Sequence, residues 1–274
     1  MKLSRESASL LNDGARMPKL GLGVYQIASG RCRHAVSHAL SVGYRHIDTA
    51  ALYGNEEDVG RAVRECGLAR DQVFVVTKLW NSDHGYAQAI KACDHSLAKL
   101  ALDYIDLYLI HWPQPDKRLD SWRALVELKK QGKCRSIGVS NYTIAHLSEL
   151  MANSDVVPAV NQVEFSPFLY QRELLEFCRR HGIQLEAYCP LTRGEKLDNR
   201  TVTAIAKKHG KTSAQILLRW DMQHDIVVIP KSANPARIEE NADLFDFALD
   251  NEDMVLLDKL NENFRTCWDP TSVR

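Results

Sequence analysis

Three consecutive stretches decide the fold: Val73-Phe74-Val75-Val76-Thr77-Lys78, then the helix-period stretch Tyr86–Leu100, then Tyr104-Ile105-Asp106-Leu107-Tyr108-Leu109-Ile110-His111. Two short runs rich in β-branched and aromatic residues, separated by a segment of helical periodicity, read as a strand–helix–strand crossover between parallel neighbours. Both strands lead directly into a residue able to do chemistry, Lys78 and His111.

The same alternation runs outward in both directions. Leu20–Val24 and Tyr44–Ile47 precede this unit, and Ser136–Val139, Pro158–Val163, Gln184–Ala187 and Ile226–Ile229 follow it, which makes eight strand candidates. Helical segments are expected at Arg31–Ser41, Glu56–Glu65, Tyr86–Leu100, Asp120–Gln131, Ile144–Ala152, Arg172–His181, Asp198–His209, Ser213–Met222, Arg237–Leu244 and Glu252–Leu260. Gly43, Gly67, Gly132, Gly182 and Gly210 stand where helices should end. Ser9 to Leu20, turning at Asp13-Gly14, reads as a β-hairpin ahead of the main pattern. Eight strands with helical crossovers predict an α/β fold of the (β/α)8 TIM-barrel type. No low-complexity linker divides residues 1–274, so a single barrel domain is expected.

Composition narrows the function. The 274 residues carry 35 basic and 35 acidic side chains, so nothing points to nucleic acid or to a strongly charged partner. The N-terminal Met1-Lys2-Leu3-Ser4 stretch lacks the apolar core of a secretory signal, and no apolar run is long enough to span a membrane. Seven scattered cysteines without a Cys-x-x-Cys pair read as reduced thiols of a cytoplasmic protein. His34 and His38 share a helix face without a third ligand, so no metal is expected. A neutral surface without an apolar stripe points to a monomer.

A parallel barrel presents its chemistry at the C-terminal ends of its strands. Read in order, those ends carry Gly23-Val24-Tyr25, Asp48 with Tyr53 beyond it, Lys78 and Trp80, His111-Trp112, Ser140-Asn141, Gln162, Tyr188, and Lys231-Ser232. Asp48 and Lys78 have opposite charges and can pair. A nearby ammonium favours an ionised phenol, so Tyr53 is expected to be acidified into a general acid. His111 can donate to a carbonyl oxygen and orient it. Taken singly, each has a plain structural reading: a buried ion pair, a packing histidine, a loop tyrosine. Their meeting at one rim is what suggests catalysis. Lys231, Ser232 and Arg237, around a helix start, suit a phosphate. Gly21-Leu22-Gly23 lacks the third glycine of a dinucleotide fingerprint, because Gln26 stands there. Tyr25, Trp80, His111 and Trp112, with Trp268, are expected to line a small-molecule pocket.

These residues resemble the aldo-keto reductase family. Gly43-Tyr44-Arg45-His46-Ile47-Asp48-Thr49-Ala50 with Tyr53-Gly54-Asn55-Glu56 is similar to its first signature, extending to Gly60. Asp106–Pro113, Gly138-Val139-Ser140-Asn141, Asn161-Gln162-Val163-Glu164 and Ile229-Pro230-Lys231-Ser232 follow in the family order. The resemblance implies a barrel whose hairpin closes the bottom, with two extra helices, and NADPH as cofactor. It implies a catalytic tetrad of Tyr53, Asp48, Lys78 and His111. It implies cofactor contacts from Gly23, Val24, Asp48, Ser140, Asn141, Gln162, Tyr188, Leu191, Lys231, Ser232, Arg237, Glu240 and Asn241. With His111 a histidine, where the family's steroid double-bond reductases carry glutamate, it implies reduction of a carbonyl in a small-molecule substrate. A nucleotide-sensing subunit on the same barrel and a prostaglandin-endoperoxide reductase are the alternatives it leaves open. The chain departs from the family pattern in a short loop after His111 and in Cys189 and Thr192-Arg193 after Tyr188.

Overall fold

The computed structural model describes residues 3–273, so Met1 and Lys2 of the N-terminal stretch lie outside the described residues. Strands β1 (Ala8–Leu10) and β2 (Arg16–Pro18) form an antiparallel hairpin. The remaining strands are parallel: β3 (Leu22–Gly23), β4 (His46–Asp48), β5 (Phe74–Leu79), β6 (Ile105–Ile110), β7 (Cys134–Ser140), β8 (Val160–Glu164), β9 (Gln184–Tyr188) and β10 (Val227–Val228). They pair in chain order, from β3 to β10. The ends then meet: Leu20 pairs with Val228 and Gly23 with Lys231, and Gly21 N–H donates to Val228 O at 2.8 Å. The sheet is therefore a closed (β/α)8 barrel, as expected.

Closure explains the two glycines that failed to make a dinucleotide fingerprint. A Cβ on Gly21 would lie 2.6 Å from the His46 ring, and one on Gly23 would lie 2.9 Å from Ile229 O. They are glycines because the seam leaves no room for a side chain.

Helices α1 (Arg31–Ser41), α2 (Glu56–Glu65), α3 (Tyr86–Leu100), α4 (Arg118–Lys130), α5 (Ile144–Ala152) and α6 (Arg172–Arg180) follow β3 to β8 in turn. Between β9 and β10 lie α7 (Arg200–His209) and α8 (Ser213–Gln223), and α9 (Pro235–Ala242) and α10 (Asn251–Asp258) come last. In α1 the buried residues are Cys32, Ala35, Val36, Ala39 and Leu40, the spacing of one apolar helix face. Boundaries differ from the sequence expectation where caps decide. Asn234 accepts from Ala236 N–H and Arg237 N–H and Pro235 takes the first turn, so α9 starts at Pro235 rather than Arg237.

Two apolar layers result. Between sheet and helices lies the larger one, with Ile47, Val75, Tyr108, Ile137 and Leu185 facing outward. Inside the barrel, Leu11 and Met17 of the hairpin region pack with Phe74, Val76, Leu107, Leu109, Val160 and Val227. The hairpin thus plugs the lower end, and complete burial of each large apolar side chain there contributes about 1.5–3 kcal/mol.

Candidate active site

Strand alternation and inter-strand register place the site. Phe74, Val76 and Lys78 share the inward face of β5, so a strand that begins in the apolar plug ends in an ammonium group. Asp48 stands beside Val76, Lys78 beside Leu109, and Gln162 beside both Ser140 and Glu186. His111 directly follows β6, and Tyr188 ends β9. Above the apolar plug, the barrel is therefore lined by polar groups from successive strands.

Lys78 is fully buried, and its Nζ donates to Asp48 Oδ1 at 2.6 Å and to Thr49 O at 2.9 Å. Asp48 Oδ2 accepts from Gln162 Nε2 at 2.8 Å. Burial pushes the Asp48 carboxyl up, while the Lys78 ammonium and the Gln162 amide pull it back. Tyr53, on the short turn Ala51–Tyr53 after β4, presents its ring 5.1 Å from Lys78 Nζ and 5.7 Å from the His111 ring. Asp48, Tyr53, Lys78 and His111 are thus brought together.

Their ionisation departs from the expectation of an acidified phenol. Burial, then the Asp48 carboxylate, hold the Tyr53 phenol well above its usual value. The Lys78 charge is spent on Asp48 and the Thr49 carbonyl. Tyr53 is a neutral O–H donor, not a ready phenolate. Burial and the Lys78 ammonium hold His111 well below the usual imidazole range, so it too is neutral. His111 Nδ1 is enclosed without a partner among the described residues. An orphaned acceptor is tolerated better than an orphaned N–H, which favours the tautomer with its proton on Nε2.

The neighbouring polar groups are held by one another. Tyr188 Oη donates to Asn141 Oδ1 at 2.7 Å, and Asn141 Nδ2 donates to His111 O at 2.9 Å and to Ser140 Oγ at 3.1 Å. Ser140 Oγ donates to Gln162 O at 2.8 Å. Asn141 adopts φ +64°, a left-handed backbone that asparagine tolerates. Gln162 spends both amide hydrogens, on Asp48 and on Glu186 Oε2 at 2.7 Å, and no described residue donates to its Oε1.

The phosphate candidates lie at the other end. Gly23 and Val24 sit at the barrel seam, and Val24 N–H donates to Asp48 O. Ser232 is buried, whereas Lys231 and Arg237 are exposed and form no ion pair with a described residue. Asn234 already occupies the first amides of α9, leaving those three side chains as the means of gripping an anion. Glu240 accepts from Thr212, and Asn241 is buried. Leu191 is half-buried in the loop after β9.

Aromatic side chains surround the mouth. Tyr25 lies 4.9 Å from Tyr53, Trp80 lies 5.2 Å from His111, and Trp112 lies 5.7 Å from Trp268, all between ring centroids. Glu164 fastens the tail across this mouth by accepting from the Thr266 amide and hydroxyl at 2.6 Å each. The same tail carries Cys267, whose Sγ lies 3.8 Å from that of Cys189. His34 and His38 turn instead to Gly30 O and to Glu239.

Sequence reading left out Glu186, His46, Glu164 and Thr266. Alternation from Tyr188 back to Glu186 and from Asp48 back to His46 would have put the first two on the inward face. No local signal announces the Glu164–Thr266 contact, which spans most of the second half of the chain.

A model described as the Aldo/keto reductase family matches residues 19–262. A glyoxal reductase of Bacillus subtilis (strain 168) is 50% identical over 271 residues, covering 98% of each chain. A 9,11-endoperoxide prostaglandin H2 reductase of Trypanosoma cruzi (strain CL Brener) is 49% identical, covering 95% of this chain and 93% of its own. Among solved structures, a Bombyx mori aldo-keto reductase in complex with NADP superposes with a TM-score of 0.90 at 39% identity, covering 96% of this chain and 95% of that one.

Proposed function

The chain belongs to the aldo/keto reductase family, and from that premise we propose that it reduces small aldehydes and dicarbonyls to alcohols with NADPH, Tyr53 supplying the proton. The observation that carries this reading is the meeting of the buried Lys78–Asp48 pair, the neutral Tyr53 phenol and the neutral His111 imidazole at one end of the barrel. In this reading residues 1–274 work as one barrel domain and as a monomer in the cytoplasm.

The residues present fit the cofactor. Gln162 offers an unclaimed carbonyl oxygen and Tyr188 a flat ring fastened at its hydroxyl, suited to an amide and an aromatic ring. Lys231 and Arg237 are exposed cations without an ion pair to a described residue, on either side of the buried Ser232 in the chain, suited to a phosphate. Ser140, Asn141, Gln162 and Tyr188 would hold the nicotinamide. Lys231, Ser232 and Arg237 would hold a phosphate on the adenosine, with Glu240 and Asn241 at the adenine and Gly23, Val24 and Leu191 along the chain between. When bound, NADPH supplies the hydride.

The chain's own groups do the rest. His111 Nε2–H donates to the carbonyl oxygen and fixes its direction. Tyr53 Oη–H gives its proton to that oxygen as negative charge gathers there. The phenolate left behind is stabilised by the Lys78 ammonium beneath it, and Asp48 keeps that ammonium in place. Trp80, Trp112 and Tyr25 border the substrate space. A short connection between β6 and α4 leaves that space open, which suits small dicarbonyls without excluding larger substrates.

The test is a cofactor-oxidation screen over glyoxal, other small dicarbonyls, aromatic aldehydes, keto acids and sugars. Turnover of a dicarbonyl with NADPH is expected. Tight NADPH binding with no turnover on any carbonyl would overturn the proposal in favour of a nucleotide sensor. The similarity to an endoperoxide reductase favours a second reading in which a peroxide O–O bond is the group reduced. Turnover of an endoperoxide with every carbonyl inert would select it.

A further inference from the structure

We propose that Glu186 sits inside the barrel as a neutral carboxylic acid and is the positioning residue that fixes the amide of Gln162. The positioning half rests on the reading of Gln162 as a cofactor-holding residue; the protonation half does not.

Glu186 and His46 are both fully buried, on the inward faces of β9 and β4. Glu186 Oε2 accepts from Gln162 Nε2 at 2.7 Å. Its other oxygen, Oε1, lies 3.3 Å from His46 Nε2, and neither atom has a hydrogen-bond partner among the described residues. The remaining ring nitrogen, His46 Nδ1, lies 3.3 Å from Pro18 O. A carbonyl oxygen only accepts, so Nδ1 carries the proton, and in a neutral imidazole Nε2 is then a lone pair. An ionised Oε1 facing that lone pair would be repelled. A proton on Oε1, donated to Nε2, satisfies both atoms.

Charge leads to the same protonation. The groups facing Glu186 are Asp48 and His46 on β4, Lys78 on β5 and Gln162 on β8, while β10 offers only Val227 in register. Lys78 is already balanced by Asp48. A second carboxylate would be an uncompensated buried charge, which is costly. Burial and the Asp48 charge push the Glu186 carboxyl up to about 8, and burial holds His46 down to about 3. Both directions favour two neutral partners over an imidazolium–carboxylate pair.

The consequence for Gln162 is directional. Its NH2 faces two acceptors, Asp48 Oδ2 and Glu186 Oε2, so a flipped amide would set oxygen against oxygen. The flip is forbidden, and Gln162 Oε1 is held facing away from both. A glutamine at position 186 would reproduce the neutral acid: its carbonyl accepts from Gln162 and its NH2 donates to His46 Nε2.

Linkage supplies the test. A buried acid whose folded-state pKa is raised keeps its proton where the unfolded chain has lost it. Wild-type stability relative to Glu186→Gln should therefore fall as pH rises from the ordinary carboxylate range to about 8, then level off. Denaturant unfolding of the cofactor-free proteins should show the ratio of unfolding constants, wild type to variant, rising about tenfold per pH unit across that window. The wild-type minus Glu186→Gln difference infrared spectrum should show the carbonyl stretch of one protonated carboxylic acid, since the buried Asp221 carboxyl, also pushed up by burial, contributes equally to both proteins and cancels. A pH-independent stability difference together with no such band overturns the protonation. For the positioning role, Glu186→Ala should weaken NADPH binding about fivefold, the worth of one hydrogen bond, and Glu186→Gln should recover it. Equal weakening in both variants overturns that role. Unfolding and infrared measurements need neither cofactor nor substrate, so a chain that reduces no carbonyl yet passes them defeats the proposed function alone.

Discussion

The two ends of the candidate site are built on opposite principles. At the tetrad end the side chains of Lys78 and Asp48 are 0% and 3% exposed, and Gln162, Ser140, Asn141 and Tyr188 each already donate a hydrogen bond within the protein. At the phosphate end Lys231 and Arg237 extend into solvent without ion pairs to described residues. The first end carries its organisation before any ligand arrives. In the proposed binding mode the second would gain its order only with the ligand, because long exposed cations lose side-chain freedom when they close on an anion. Changes at the two ends should therefore read out differently: rate and stability at one, affinity at the other.

Tyr53→Phe should give the largest effect. Its hydroxyl makes no hydrogen bond to a described residue, so the fold should tolerate the loss, whereas kcat should fall by about 10²–10⁴-fold with NADPH affinity kept. Steady-state kinetics beside a cofactor titration decide this, and a fully active variant would remove Tyr53 from the mechanism. Lys78→Met comes next and is the sharper probe of the contrast, since it should damage both rate and stability. Removing the ammonium leaves Asp48 as an unpaired buried charge, with an expected loss of about 3–5 kcal/mol in an unfolding titration. An unchanged unfolding midpoint would mean that Asp48 does not carry a charge in the fold. Arg237→Ala should be the mildest. It should weaken NADPH about tenfold, leave NADH within a small factor, and alter neither kcat nor stability, given one charge-assisted contact at an exposed site. Equal weakening of both cofactors would break the assignment of Arg237 to the 2′-phosphate.

The structure also changes what the tetrad means. A lysine beside a tyrosine suggests, from sequence, an acidified phenol. In the fold the ammonium is engaged by Asp48 and Thr49 O, and burial dominates, so Tyr53 stays protonated. For a group that must hand over a proton this is the useful state. In the proposed mechanism Lys78 then acts on the phenolate formed afterwards rather than on the phenol before.

Much of the architecture was legible in residue order. The short runs rich in β-branched and aromatic residues located all eight barrel strands, and the period-3.6 runs located all ten helices of the described residues, with errors mainly at the ends. Those errors have local causes. Asn234 and Pro235 start α9 early, and β3 and β10 shrink to Leu22–Gly23 and Val227–Val228 where the barrel closes. The polar residues at strand ends were legible too, because alternation puts Lys78 in phase with Val76 and Phe74. What could not be read was which polar groups touch. Cys189 and Cys267 are 3.8 Å apart across 78 positions, and Glu164 holds Thr266 across 102.

Periodicity is a property of neighbours along the chain, so sequence by itself determined the elements, their inward faces and the set of candidate groups at one rim. Register between strands and closure of the barrel arise from many distant backbone pairings acting together, and no short stretch encodes them. Only the tertiary structure decided that Gln162 lies between Asp48 and Glu186, that Glu186 faces Nε2 of His46, and that Tyr53 keeps its proton. Ionisation follows burial and the nearest charges, and both exist only once the chain has folded.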